Sequence, residues 1–161
     1  MTTRSFTVGT AQLPADIDAV RQLFRSYAAS LDIDLAYQGF ADELAGLPGA
    51  YAAPAGALLL ARSSNGKSLG CVALRPMSDP DCAEMKRLYV DPSARGLGIG
   101  RVLVMAVIET AREAAYREVR LDTLPSMFDA QELYHRLGFV PMDPYYETPI
   151  VGTKFMRLVL E

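Results

Sequence analysis

A chain of 161 residues, half of them hydrophobic and 22% charged, is long enough to bury about 70% of its unfolded surface around one core. That composition excludes a disordered chain, and a net charge of −3 with scattered Lys and Arg excludes a general electrostatic grip on nucleic acid. The longest apolar run, residues 57–61, is too short to cross a bilayer, and the opening MTTRSFTVG lacks the apolar stretch of an export signal. A cytoplasmic protein without a membrane partner is therefore expected. Cys71 and Cys82 lie too far apart for a zinc or redox pair, so both are read as reduced, buried thiols, with no metal site.

The first element expected is a short strand at 6–9. A helix over 16–31 follows, with Ile17, Val20, Phe24, Tyr27 and Leu31 recurring at three- and four-residue steps. A shorter helix over 40–47 ends at Leu47-Pro48-Gly49. Residues 57–61 then read as a buried strand, and 63–67 as a hairpin turn, because its Asn65-Gly66 step tolerates positive φ. Strands at 69–74 and 83–90 complete an antiparallel meander.

The pattern then changes from period two to the period of a helix. Over 98–115, Val102, Leu103, Ala106, Val107, Ile108 and Ala111 leave only a narrow wet stripe at Arg101, Glu109, Arg112 and Glu113, so this helix is expected to be largely buried. A strand at 118–122 follows, and a strand, buried helix, strand order implies a parallel crossover. Ser126 with Asp129 three residues on reads as a capping box opening a helix whose Met127, Ala130, Leu133 and Leu137 share one face until Gly138 stops it. Strands at 139–140 and 154–160 flank a Pro- and Tyr-rich tail. No repeat or linker interrupts the chain, so residues 1–161 are read as one α/β domain. Its mixed sheet starts antiparallel, turns parallel around the central helix and carries helices on both faces.

The most informative stretch is 84–101, EMKRLYVDPSARGLGIGR. Asp91-Pro92-Ser93 ends a strand, and Gly96, Gly98 and Gly100 strip side chains from the entry of the next helix. Bare N–H groups at the positive end of a helix dipole form an anion site of the kind that receives a pyrophosphate. A Walker A loop is excluded because Gly100 is followed by Arg101-Val102 rather than Lys and a hydroxyl residue. A dinucleotide fingerprint fails because Arg101 stands where its third glycine belongs.

Arg95, Gly98 and Gly100 match Q/R-x-x-G-x-G/A, and with Leu88-Tyr89-Val90 before them the segment resembles the coenzyme A motif of the GNAT superfamily of N-acetyltransferases. Leu133-Tyr134-His135-Arg136-Leu137-Gly138-Phe139 resembles the LY-x-x-LGF segment of the same superfamily, and the order of elements from 6 to 160 is similar to its fold. The resemblance implies acetyl-CoA as cosubstrate, its pantetheine arm pairing with Leu88, Tyr89 and Val90 at a splay between strands. Its pyrophosphate would be held by main-chain amides among Arg95, Gly96, Leu97, Gly98, Ile99, Gly100 and Arg101. It also implies Tyr134 as the acid that protonates the leaving thiolate, and Glu84, six residues before Val90, as a general base. A main-chain N–H near Leu88 would steady the oxyanion. Met127 departs from the pattern, since many members carry asparagine three residues before the alanine here numbered Ala130. His135, the lone histidine, sits beside the acid tyrosine and is read as facing another side of its helix.

Substrate residues are expected on irregular segments held by the scaffold. Tyr37, Gln38 and Phe40 lie between the first two helices, Tyr145 and Tyr146 precede the last strand, and Arg75 ends its own strand; together they would wall an acceptor site of mixed charge. The implied activity is direct acetyl transfer to a primary amine of a small molecule or peptide. The rival readings are a noncatalytic coenzyme A-binding sensor, a protein interaction domain that would not bind coenzyme A, and a cysteine acyl-enzyme, for which neither Cys71 nor Cys82 has an activating histidine nearby. A homodimer through exposed terminal strands is compatible with the chain.

Overall fold

The computed structural model describes residues 5–161. Seven strands form one sheet: β1 (Phe6–Thr10), β2 (Ala57–Ser63), β3 (Ser68–Pro76), β4 (Cys82–Val90), β5 (Glu118–Thr123), β6 (Val140–Met142) and β7 (Lys154–Val159), in spatial order β1-β2-β3-β4-β5-β7-β6. Helices α1 (Ile17–Ala29), α2 (Phe40–Ala45), α3 (Ile99–Glu113) and α4 (Phe128–Arg136) connect them. The expected mixed sheet is present, and its parallel character resides in a single pair, β4 with β5, across the α3 crossover. The last strand, β7, inserts antiparallel between β5 and β6.

The strand patterns explain where the core lies. Strands β2 to β4 are buried on both faces, as their near-continuous apolar runs require. On one face, α3 packs Leu103, Val104 and Val107 against Leu59, Val72, Leu74 and Met85. On the other, α1 packs Val20, Leu23 and Phe24 against Leu58, Leu60, Cys71 and Tyr89. Helix α3 is less uniformly buried than its composition suggests, since Met105 is 48% exposed. The Asn65-Gly66 turn forms as expected, with Gly66 at φ 85° and its N–H donating to the Ser63 carbonyl.

The capping box at Ser126 does not form. Helix α4 starts two residues later, Met127 occupies the cap position, and no side chain caps the first turn. Ser126 lines a surface groove instead, along with Met127, Ala130 and Leu133. The shared apolar face thus walls a groove at Met127, Ala130 and Leu133, and the buried side chain of α4 is Tyr134, which packs on Phe139 with ring centroids 5.7 Å apart.

Candidate active site

Strand β4 is irregular along both of its edges. Strands β4 and β5 pair only from Cys82↔Glu118 to Glu84↔Arg120, although β4 continues to Val90 and β5 to Thr123. Beyond Glu84 the two strands separate, leaving main-chain groups of β4 facing a cleft. On the other side of β4, the register with β3 jumps from Ala73↔Lys86 to Cys71↔Tyr89, so that Arg87 and Leu88 share one opposing residue. This is a β-bulge, and Arg87 adopts φ 62° within it. In a regular strand neighbouring side chains point to opposite faces. Here the bulge brings Lys86 and Arg87 to the same acceptor, Gln38 Oε1, at 3.2 and 2.9 Å.

The split strands enclose a slot of about 40 Å³. Met85, Lys86 and Leu88 contribute from β4, Asp122 and Thr123 from β5, and Ala130 and Tyr134 from α4. Tyr134 is 6% exposed, burial pushes its hydroxyl above the usual phenol range, and among the described residues nothing hydrogen-bonds that hydroxyl. The Thr123 hydroxyl is also buried without a partner. An unpaired buried polar atom is uncommon in native proteins, and one that lines the slot with the Tyr134 hydroxyl suits a ligand. Asp122 is the only carboxylate among the described residues that line it; its Oδ2 accepts from the Tyr146 hydroxyl, and its Oδ1 lies 3.6 Å from the Lys86 ammonium.

The slot opens into a groove of about 500 Å³. Leu88, Tyr89, Val90, Arg95, Gly96, Gly98, Ile99 and Gly100 form one wall, and the start of α4 forms the other. The expected cofactor residues are therefore together on this wall, apart from Leu97 and Arg101, whose exposed side chains lie outside the lining. Gly96 and Gly98 take φ 86° and 81°, which other residues adopt only with strain, and Gly98 stands at the start of α3 without a capping side chain. A Cβ added to Gly98 meets nothing within 4 Å. Arg95 Nε donates to the Val90 carbonyl at 3.3 Å, tying the turn to the strand end. A diphosphate fits this cradle of open main-chain nitrogens.

The expected acceptor residues sit on the α1 side of the sheet, and their side chains hold one another. Gln38 donates to the Tyr37 hydroxyl at 3.0 Å while accepting from Lys86 and Arg87. Phe40 lies under the Arg87 guanidinium, 5.1 Å from its carbon. Tyr145 and Tyr146 pack on Phe155, and each hydroxyl donates to a carboxylate, Tyr145 to Glu84 at 2.6 Å and Tyr146 to Asp122. Arg75 pairs with the other oxygen of Glu84 at 2.7 Å. Glu84 is consequently 3% exposed, with both oxygens engaged, and is not among the residues lining the slot. His135 is exposed on α4 and faces away.

Sequence reasoning missed Lys86, Asp122, Thr123 and Glu43. The first three line the slot, and Glu43 grips Arg87 with two bonds of 2.9 and 2.8 Å. Lys86 carried one signal, a lysine inside a strand otherwise built to be buried; the others depend on which strands become neighbours.

The geometry agrees with what the chain is similar to. Residues 17–139 match the family model described as the acetyltransferase (GNAT) family. A Schizosaccharomyces pombe protein named as an uncharacterized N-acetyltransferase is 40% identical over 154 residues, covering 96% of this chain and 94% of its own. A GNAT-family acetyltransferase structure from Staphylococcus aureus shares the fold with a TM-score of 0.79 at 20% identity, over 97% of this chain and 99% of its own. The structure of yncA from Salmonella typhimurium, solved with its cofactor acetyl-CoA, superposes with a TM-score of 0.70 at 20% identity, over 98% and 95%. With its glycine cradle, its parted central strands and a family match across most of its length, this chain belongs to the GNAT family of acetyltransferases.

Proposed function

We propose that the protein transfers an acetyl group from acetyl-CoA directly to a primary amine of a small molecule or peptide. The observation that carries this reading is the parting of β4 and β5 beyond Glu84, which ends at an unpaired tyrosine hydroxyl. The pantetheine arm carries two amides, and the freed edge of β4 at Leu88 to Val90 offers main-chain partners for them as a neighbouring strand would. The diphosphate rests on the amides around Gly96, Gly98 and Gly100, and the thioester reaches the slot beneath Tyr134.

Each chemical requirement then has a group on this chain. The acceptor ammonium must lose a proton before its nitrogen can attack, and Asp122 is the carboxylate that lines the slot. This assignment departs from the expected base, Glu84, whose oxygens are already held by Arg75 and Tyr145. Glu84 instead keeps Tyr145 and Arg75 in place as part of the acceptor wall. A main-chain N–H at the Arg87-Leu88 bulge, freed from the regular ladder, donates to the oxyanion as charge develops on the thioester oxygen. Tyr134 gives its proton to the departing thiolate; burial holds that proton on the oxygen until a strong base forms beside it.

A cysteine intermediate lacks support. Cys71 Sγ donates to the Arg87 carbonyl at 3.3 Å and burial raises its pKa, while burial pushes Cys82 to about 11; neither thiol lines the slot. Two free, buried thiols also suit the cytoplasmic setting that we assign to the protein.

Amines, amino acids, aminoglycosides and short peptides screened for release of free thiol from acetyl-CoA test the reading. Amine-dependent release is the expected result, whereas acetyl-CoA binding without release from any amine supports the coenzyme A sensor instead. Asp122→Asn should lower the rate about a hundredfold or more at neutral pH, with the loss shrinking as pH approaches the amine's own pKa, because a neutral amine needs no base. A deficit that is flat with pH removes Asp122 from this role. Gly98→Val sets a β-branched side chain at positive φ in the open cradle; calorimetry should then show acetyl-CoA affinity lowered by about tenfold or more.

A further inference from the structure

The chain has three lysines, Lys67, Lys86 and Lys154. Lys67 and Lys154 are exposed, whereas Lys86 is 6% exposed and lines the slot with Tyr134 and Asp122. Burial of an ammonium is costly unless its donors are filled and a counter-charge is close. The neighbouring cations meet that condition: Arg87 makes a two-bonded pair with Glu43, and Arg75 makes bonds of 2.8 and 2.7 Å to Glu84. Lys86 does not. Its three donors find one hydrogen bond, to Gln38 Oε1 at 3.2 Å, and its carboxylate partner stands off at 3.6 Å.

The same group is placed as a nucleophile. Strand alternation, in register with Ala73, points Lys86 toward the α1 side, where an acceptor amine would enter, yet its side chain still lines the space reserved for the thioester. Burial favours its uncharged form against the opposing field of Asp122 and Glu84, with Arg75 and Arg87 adding to the effect of burial. A carboxylate for its proton and an acid for the leaving group are already within the same slot.

We infer that Lys86 is a self-acetylation site, modified from acetyl-CoA when no acceptor amine fills the slot. This rests on the acetyl-CoA reading above. In the step, the Lys86 ammonium passes one proton to Asp122, its nitrogen bonds to the carbonyl carbon, and the carbon–sulfur bond breaks. The thiolate takes the Tyr134 proton, the second nitrogen proton restores the phenol, and Asp122 releases its proton to solvent. The products are acetyl-Lys86, free coenzyme A and one proton. The new amide occupies the slot and leaves Asp122 without its nearest cation, so the modified chain is closed to substrate.

The test is peptide mapping of the purified full chain after incubation with deuterium-labelled acetyl-CoA and no added amine. Lys86 should acquire label about tenfold or more faster than Lys67 and Lys154, which serve as internal controls for uncatalysed acetylation. Tyr134→Phe should slow labelling of Lys86 by about tenfold to a thousandfold and leave Lys67 and Lys154 unchanged. Acetyl-CoA bound by calorimetry with Lys86 unlabelled overturns the inference alone, as does labelling of Lys86 at the pace of the exposed lysines or indifferent to Tyr134. A chain that binds no acetyl-CoA overturns the proposed function, and this inference with it.

Discussion

Tyr134→Phe is expected to lower turnover by about tenfold to a thousandfold while acetyl-CoA affinity stays nearly constant. The substitution removes one oxygen and keeps the ring, and the ring is what packs against Phe139 in the core. Nothing among the described residues depends on the hydroxyl for a hydrogen bond, so folding loses little by its removal. In the proposed reaction the hydroxyl matters when sulfur departs: without a proton donor the thiolate must leave as an anion into a slot of about 40 Å³. Steady-state kinetics with an amine identified by the screen, alongside calorimetry of acetyl-CoA, separates the two effects. A parent-like rate removes Tyr134 from the acid role; a parallel loss of affinity makes it a binding residue.

Arg87→Ala is expected to destabilise the fold by about 3–5 kcal/mol, because it strands a buried carboxylate. The Arg87 side chain is 2% exposed and Glu43 11%, and the guanidinium is also sandwiched near Phe40 and Tyr27, 5.1 and 5.8 Å from their ring centres. Removing it leaves Glu43 uncompensated and empties the volume between α1, α2 and β4. Arg87→Lys should recover only part of the loss, since an ammonium cannot make the two-bonded fork or lie flat against the rings. Urea unfolding measures both. A change below about 1 kcal/mol for the alanine variant would mean that the pair is screened by solvent, as exposed pairs are.

This second prediction also concerns the site. Arg87 links three things that sequence separates: the bulge of β4 against β3, the Gln38 amide shared with Lys86, and the short helix α2 carrying Glu43. The pair thus fastens the proposed acceptor wall to the strand whose free edge we assign to the cofactor. Loss of that fastening should raise KM for the amine more than for acetyl-CoA, whose cradle at Gly96 to Gly100 is built from a different turn.

The glycine turn that we assign to the cofactor was legible from residues alone because its parts are local. Gly96 and Gly98 need positive φ, Asp91 bonds the Ser93 N–H at 2.9 Å to form the turn after β4, and α3 begins where side chains cease to obstruct its first N–H groups. All of this lies between Asp91 and Ile99, so chain order brings it together. Tyr134 was legible for a similar reason, since it sits inside a compact motif that ends in Gly138 at φ 99°. Ser126 shows where local reasoning fails. A serine three residues before an acid has the form of a cap, but α4 starts two residues later and Ser126 and Met127 line the groove instead.

By itself the sequence determined the element order, the two packed faces of the sheet and the glycine turn at the start of α3, because periodicity and glycine placement act over a few residues. It left the acceptor side undetermined. That Lys86 and Arg87 share one amide follows from a bulge set by pairing with β3, and Asp122 meets Tyr146 and Lys86 only because β7 inserts beside β5 while β4 pulls away. Which carboxylate lines the slot and which is locked behind it depends on long-range register. Such register is decided by the whole sheet closing around α3 at once, and no single stretch of residues carries it.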